Sequence, residues 1–152
     1  KNFIIIRVSW LYSDNKNSFY SKILDKIKKN KDVHVVNDQF GFPTSAYDIS
    51  NIIYKIIIKL YNNEKIRYGI YHYSNYSKNS ITWYDFAKKI NHYSNKYYNK
   101  NSKLHKVSTT DLNLQAKRPI NSSLNIDKFC NTFNIKKKNW EIELKKIMLK
   151  KI

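Results

Sequence analysis

The stretch VHVVNDQFGFPTSAYDISNIIYKIIIKL, residues 33–60, decides the fold, because it reads as strand, turn and helix in direct succession. Val33–Val36 is a short β-branched run of the kind that fills a buried strand. Ile49, Ile52, Ile53, Ile56, Ile57 and Leu60 recur at helical spacing, and Ser45 and Asp48 stand in capping-box register at the start of that pattern. Between strand and helix lies Asp38-Gln39-Phe40-Gly41-Phe42-Pro43-Thr44. The chain has only two glycines and two prolines, and this loop holds one of each. Gly41 is expected to take backbone angles closed to other residues, while Pro43 fixes its own φ and pushes Phe42 towards an extended shape. A loop between strand end and helix start is where α/β folds keep their ligand contacts. Asp38 and Gln39 could hydrogen-bond a base or ribose there, although turn chemistry alone also accounts for Gly41 and Pro43.

Outward from this unit the alternation continues. Residues 3–8 read as a fully buried strand of a parallel sheet, and 18–30 as a helix with Phe19, Ile23 and Ile27 on one face and Ser18 as cap. Ile66 to Ser74 reads as a strand, and Thr82 with Asp85 opens a helix carrying Phe86 and Ile90. Residues 94–106 are polar and read as a surface connection. A short helix over 125–133 turns Phe129 and Phe133 inward. A last helix at about 139–151 packs Trp140, Leu144, Ile147 and Met148, with Glu141 and Glu143 at its positive end. Strands alternating with helices define an α/β fold. No glycine-rich strand-turn-helix is present to cradle a dinucleotide.

Composition bounds what the chain does. Its 152 residues suffice for one domain with a real core, and its formal charge is +18. Such a charge suggests nucleic acid. The basic residues are 26 Lys against three Arg, however, scattered over most helices, and Arg is the residue that reads phosphates and guanine edges. The charge therefore reads as solvated faces enriched in lysine, with no specific nucleic-acid site. The abundance of Tyr, Ile, Lys and Asn is the footprint of an AT-rich genome. Cys130 stands alone, which fits a reducing, cytoplasmic setting, and the four histidines lack ligand spacing. No apolar run approaches a membrane span. The chain begins inside a strand without an initiator Met, as a fragment would.

Two further clusters carry chemistry. Arg7-Val8-Ser9-Trp10-Leu11-Tyr12 closes the first strand, where Trp10 could pack against a sugar and Arg7 answer an anion; equally, Trp10 could be core and Arg7 a loop tie. Arg118-Pro119-Ile120-Asn121-Ser122-Ser123-Leu124 suits a diphosphate, or a structural ion pair. In this order and spacing, with Phe19 opening a helix, Gly69-Ile70-Tyr71-His72, Thr82-Trp83-Tyr84-Asp85-Phe86-Ala87 and Trp140, the chain resembles the carboxyl-terminal half of the dTDP-4-dehydrorhamnose reductase family, extended short-chain dehydrogenases/reductases.

That resemblance implies the last parallel strands of a Rossmann-like fold plus a small substrate-binding domain spanning 1–152, with the amino-terminal NADP-binding part absent. It implies NADPH-dependent reduction of dTDP-6-deoxy-L-lyxo-4-hexulose to dTDP-L-rhamnose, a precursor of cell-surface polysaccharide. Trp10 looks like the family's sugar-contacting tryptophan; Arg7, Asp38, Gln39 and Arg118 fall by position on the nucleotide side. The family's catalytic Tyr-x-x-x-Lys lies upstream of the strand that begins here. The matches at Tyr12/Lys16, Tyr61/Lys65 and Tyr84/Lys88 carry no weight in a chain with 13 Tyr and 26 Lys. Ser13 and Ser18 stand where the family usually has Gly and Asn. Members can carry Mg2+ at a subunit contact, but no carboxylate cluster is found here to hold it. The expected partners are a dTDP-sugar, a separately encoded amino-terminal half and a homodimer mate. The chain alone is expected to be inactive and poorly soluble, its first strand leaving an apolar edge. The alternative is a non-catalytic binding or regulatory subunit of the same fold, as in the regulatory subunit of methionine adenosyltransferase.

Overall fold

The computed structural model describes residues 2–112 and 116–150. In chain order the elements are β1 (Ile4–Val8), β2 (Leu11–Tyr12), α1 (Phe19–Lys28), β3 (Val33–Val36), β4 (Phe40–Gly41), β5 (Thr44–Ser45), α2 (Ala46–Tyr61), β6 (Gly69–Tyr73), β7 (Ile81–Thr82), α3 (Trp83–Tyr98), β8 (Leu104–Val107), α4 (Asp127–Phe133) and α5 (Trp140–Leu149). Among the described residues the strands form four two-stranded ladders. β1 pairs with β6, β2 with β5 and β3 with β8, all parallel; only β4 with β7 is antiparallel. Helices supply the crossovers between parallel partners, as parallel pairing demands.

Two apolar cores follow from the amphipathic faces. One gathers Tyr20, Ile23 and Ile27 of α1, Val33 and Val35 of β3, Phe86 and Ile90 of α3, and Trp140, Leu144 and Met148 of α5. The other joins Ile49, Ile52 and Ile56 of α2 to Tyr71 and Tyr73 of β6 and to Phe129 and Phe133 of α4. Helices α1, α2 and α3 start at the caps expected of Ser18, Ser45 and Thr82, while α4 has no side-chain cap. Ser18 accepts from the Ser21 N–H, and Asn139 accepts from the Glu141 and Ile142 N–H groups. Thr82 and Asp85 form a reciprocal capping box, which closes α3 at its first turn.

Several expectations are corrected. The strand at residues 3–8 is not fully buried: Phe3, Ile5 and Val8 are exposed, because β1 has one strand neighbour among the described residues and its far side is open. The helical stripe of α2 likewise divides. Ile49, Ile52 and Ile56 are buried, while Ile53, Ile57 and Leu60 continue the same apolar surface into solvent beside β1. Residues 94–106 are not a simple surface connection. α3 runs on to Tyr98, and Leu104–Val107 is strand β8, register-paired with β3. The reason is that tyrosines count as polar letters yet pack as apolar bodies: Tyr93, Tyr97 and Tyr98 lie against the first core, and the Tyr98 hydroxyl donates to the Met148 carbonyl at 2.7 Å. The last helix ends at Leu149, and position 151 lies outside the described residues.

Candidate functional site

The loop at residues 38–44 is built around an indole. Trp10 has a φ of 46°, in the left-handed region that a bulky side chain avoids, at a cost of about 1–3 kcal/mol. Neighbouring contacts hold it there: Thr44 N–H donates to the Trp10 carbonyl at 3.0 Å, and the Thr44 hydroxyl donates to the Ser9 carbonyl at 2.6 Å. The indole of Trp83 lies parallel to that of Trp10, 3.7 Å between centroids and 11° between planes. Phe19 follows at 4.4 Å from Trp83.

Gly41 closes the other end of this column. A Cβ there would lie 2.6 Å from Trp10 Cε2 and 2.9 Å from both Cζ2 and Nε1, distances that place it over the ring face. Gly41 is therefore required for space. Its backbone is not among the positive-φ positions, so the expected need for unusual angles is corrected; Gly69, at φ 136°, is the glycine with that role. With Trp83 on one face and Gly41 on the other, Trp10 has only its edge left for a ligand.

Asp38 and Gln39 are both committed to one partner. Thr109, just beyond β8, donates its N–H to Asp38 at 2.8 Å and its hydroxyl at 2.5 Å, and Gln39 Nε2 donates to the Thr109 oxygen at 3.0 Å. The two Thr109 donors hold the Asp38 carboxyl below the usual carboxylate range. Gln39 is buried, so the pair ties the loop to the end of β8.

A second knot fixes the loop's exit. Asp48, fully buried, accepts from the Tyr73 hydroxyl at 2.5 Å and Asn75 Nδ2 at 2.7 Å, and is ion-paired with Lys138. Burial, and then the Asp48 bond, push the Tyr73 hydroxyl far above its ordinary pKa. Asn75 in turn accepts from the Ser45 N–H at 2.8 Å. The expected Ser45–Asp48 capping box is thus only half made. Ser45 accepts from the Asp48 N–H, but the carboxylate faces the knot and Asn75 takes the N-cap amide.

Beside the aromatic column lies a cavity of about 360 Å3, lined by Asn17, Phe19 and Lys22 from the start of α1, His34–Val36 of β3, Gln39, Trp83, Leu112 and Arg118. No carboxylate is among these residues, and neither Lys22 nor Arg118 has an ion pair among the described residues. Two free cations, neutral polar groups and aromatic walls suit an anion joined to a ring system. The structure brings Gln39 and Arg118 to this cavity; Trp10 and Asp38 do not line it, Trp10 being stacked on the lining Trp83 and Asp38 sharing Thr109 with Gln39. It does not bring Arg7, which is exposed on β1 and lines no part of the cavity.

Phe19, Lys22, His34, Trp83 and Thr109 went unrecognised as site residues in the sequence. Their convergence is a product of the packing of α1, β3, α3 and the end of β8, and the linear signals were Phe19 at the head of its helix and the Trp83 motif. Among the described residues, no group of three or more His, Cys, Asp or Glu is placed to hold a metal ion, and no helix is long and apolar enough to cross a membrane. The described residues also do not fit a dinucleotide. Gly41 lies on the strand-to-helix connection but its open side is filled by Trp10, and Gly69 begins a strand, so neither offers its backbone to a pyrophosphate.

Parallel strands joined by helical crossovers make a mixed α/β fold of the Rossmann-like kind found in extended short-chain dehydrogenases/reductases, whose solved chains this one matches over about half their length. The chain belongs to the RmlD substrate binding domain family, whose sequence model matches residues 1–151. It is 35% identical over 147 residues to dTDP-4-dehydrorhamnose reductase of Aggregatibacter actinomycetemcomitans, covering 95% of this chain and 49% of that protein. The corresponding reductase of Sinorhizobium fredii is 34% identical, with 97% and 49% covered. The crystal structure of dTDP-4-dehydrorhamnose reductase from Bacillus anthracis, in complex with NADP, superposes with a TM-score of 0.83 at 30% identity, covering 99% of this chain and 49% of that one. The chain spans about half the length of the curated relatives it matches.

Proposed function

We propose that this chain is the substrate-binding half of a dTDP-4-dehydrorhamnose reductase, taking up dTDP-6-deoxy-L-lyxo-4-hexulose for NADPH-dependent reduction to dTDP-L-rhamnose. The observation that carries the reading is the acid-free cavity in which Arg118 and Lys22 stand uncommitted beside Trp83 and Phe19. A dTDP-sugar has the matching parts: a diphosphate for the two cations and flat or apolar ring faces for the aromatic wall. In this assignment Arg118 and Lys22 neutralise the diphosphate. The Trp10 edge and Trp83 meet the hexose, while Asp38 and Gln39 hold the loop through Thr109. Arg7 stands on the open edge of β1, facing whatever completes the site.

Hydride and proton donors come, on this reading, from the part of the fold that the relatives have beyond the matched half. The exposed apolar surface of β1 and α2, with Phe3, Ile53, Ile57 and Leu60, is where that part would dock as a continuation of the parallel sheet. It would also be the contact for a separately encoded half, and the reading assigns the protein to the cytoplasm. These 152 residues alone are expected to bind substrate and to catalyse no NADPH oxidation. Titration with dTDP tests the site: Arg118→Ala and Lys22→Ala should each weaken binding about tenfold or more, the loss expected for a charge-assisted hydrogen bond. Undiminished dTDP binding in both variants would refute the assignment.

A further inference from the structure

Two histidines meet beside the cavity in a way the reading above leaves unused. His34 and His105 are register partners on β3 and β8, and their rings stack 4.7 Å apart at 13°. His105 Nε2 lies 3.0 Å from Asp32 Oδ2. A carboxylate only accepts, so His105 donates from Nε2, which fixes its tautomer and its ring plane. That bond holds the Asp32 carboxyl below its usual range. His34, stacked on a ring fixed in this way, lines the cavity while its partner faces Asp32.

Position along β3 says which end of the ligand His34 meets. The strand rises about 3.3 Å per residue, so His34 lies well back from Gln39, whose loop leads to the Trp10–Trp83 column. If the hexose occupies the tryptophan end, the other end of the cavity receives the nucleoside. There His34 has Val35 and Val36 of its own strand beside it among the lining residues. An imidazole at that place can donate to or accept from a ring edge, and the valines give the ring an apolar wall.

We propose that His34 is a specificity-determining residue that hydrogen-bonds the nucleobase edge of the nucleotide, with His105 and Asp32 as positioning residues behind it. This rests on the nucleotide-sugar reading of the cavity. The phosphates are left to Lys22 and Arg118, so His34 governs which base is accepted while diphosphate affinity stays with the cations.

The test is calorimetric titration of the chain with dTDP and with dCDP, whose bases present an O4 carbonyl, an N3–H and a C5 methyl against an N4 amine, a bare N3 and no methyl. Wild type is expected to prefer dTDP. His34→Phe keeps a flat ring for the stack and removes both nitrogens, and should lower the dTDP/dCDP preference by about 3- to 10-fold, the range of a single neutral hydrogen bond. His34→Gln, which keeps a donor and an acceptor, should restore part of it. His105→Phe keeps the stack and loses the Asp32 tie, and should fall between wild type and His34→Phe. An unchanged preference in His34→Phe, or an equal loss for both nucleotides, overturns the role of His34 and leaves the site reading intact. Failure of wild type to bind dTDP overturns the site reading and this inference with it.

Discussion

Replacing Gly41 with alanine tests the aromatic column at its tightest point. The added methyl would lie 2.6 Å from Trp10 Cε2, a separation that carbon atoms do not tolerate. Two effects oppose each other. Because Gly41 has no positive φ, alanine fits its backbone, and the stiffer unfolded chain would by itself stabilise by about 0.4–1 kcal/mol. Against this, overpacking a filled site costs about 1–3 kcal/mol, and pushing Trp10 off Trp83 forfeits a stack of about 0.5–1.5 kcal/mol. The steric side wins because Trp10 has no easy retreat: Trp83 is parallel to it at 3.7 Å and Thr44 bonds its carbonyl. The net expectation is a loss of about 1–3 kcal/mol, or a Tm about 3–10 °C lower for a domain of this size. Thermal unfolding followed by circular dichroism reads the loss, and the ring-current-shifted indole N–H of Trp10 reports whether the stack opens. In a Trp10→Ala background the same glycine change should be neutral or slightly stabilising, since the clash has gone. A Gly41→Ala protein as stable as wild type, with the Trp10 resonance unmoved, would refute the close contact.

Asp48→Ala leaves the Tyr73 hydroxyl, Asn75 and Lys138 without their shared acceptor, and should cost about 2–4 kcal/mol by denaturant titration; a loss under 1 kcal/mol would show that the knot is replaceable, on the scale of a surface pair. Asp38 has a folded pKa below its unfolded value of about 3.9, so the stabilisation its Thr109 bonds provide is present above that pH and lost as pH falls through the folded value. Thr109→Val should therefore lower Tm at pH 7, and its gap to wild type should narrow below about pH 4 to the part left by the lost Gln39 bond; a gap that does not narrow in acid would assign it to Gln39 and packing instead of Asp38. Ile53→Glu with Ile57→Glu should reduce light scattering at little change in Tm, because both side chains are exposed on the apolar face beside β1; unchanged scattering would place the adhesive surface elsewhere.

Much of this architecture was legible in the residues. Helices α1, α2, α3 and α5 announce themselves by spacing and caps, since each buries one stripe and begins at a Ser, Thr or Asn whose oxygen answers a free amide. β8 was not legible, because Leu-His-Lys-Val has little apolar content and gains its place only by pairing with β3. For the same reason the site was seen in part. Arg118 and the 38–44 loop stand out as rare residues in a lysine- and tyrosine-rich chain. Lys22, His34 and Thr109 look like ordinary surface letters until the packing of α1, β3 and the end of β8 brings them together. The burial of Asp48 was hidden by its plausible job as a cap, and the need for Gly41 was read as backbone freedom when it is room for an indole. The continuation of the α2 stripe into exposed Ile53 and Ile57 was visible as periodicity, but periodicity cannot tell a covered face from an open one.

The central claim is that these 152 residues hold the substrate side of the active site and leave the cofactor side to other residues. Parallel calorimetric titrations of the polypeptide with dTDP and with NADPH test it most directly. The account predicts saturable heat with dTDP, weakened by Arg118→Ala, and none with NADPH. Saturable NADPH binding, or dTDP binding indifferent to Arg118, would contradict it.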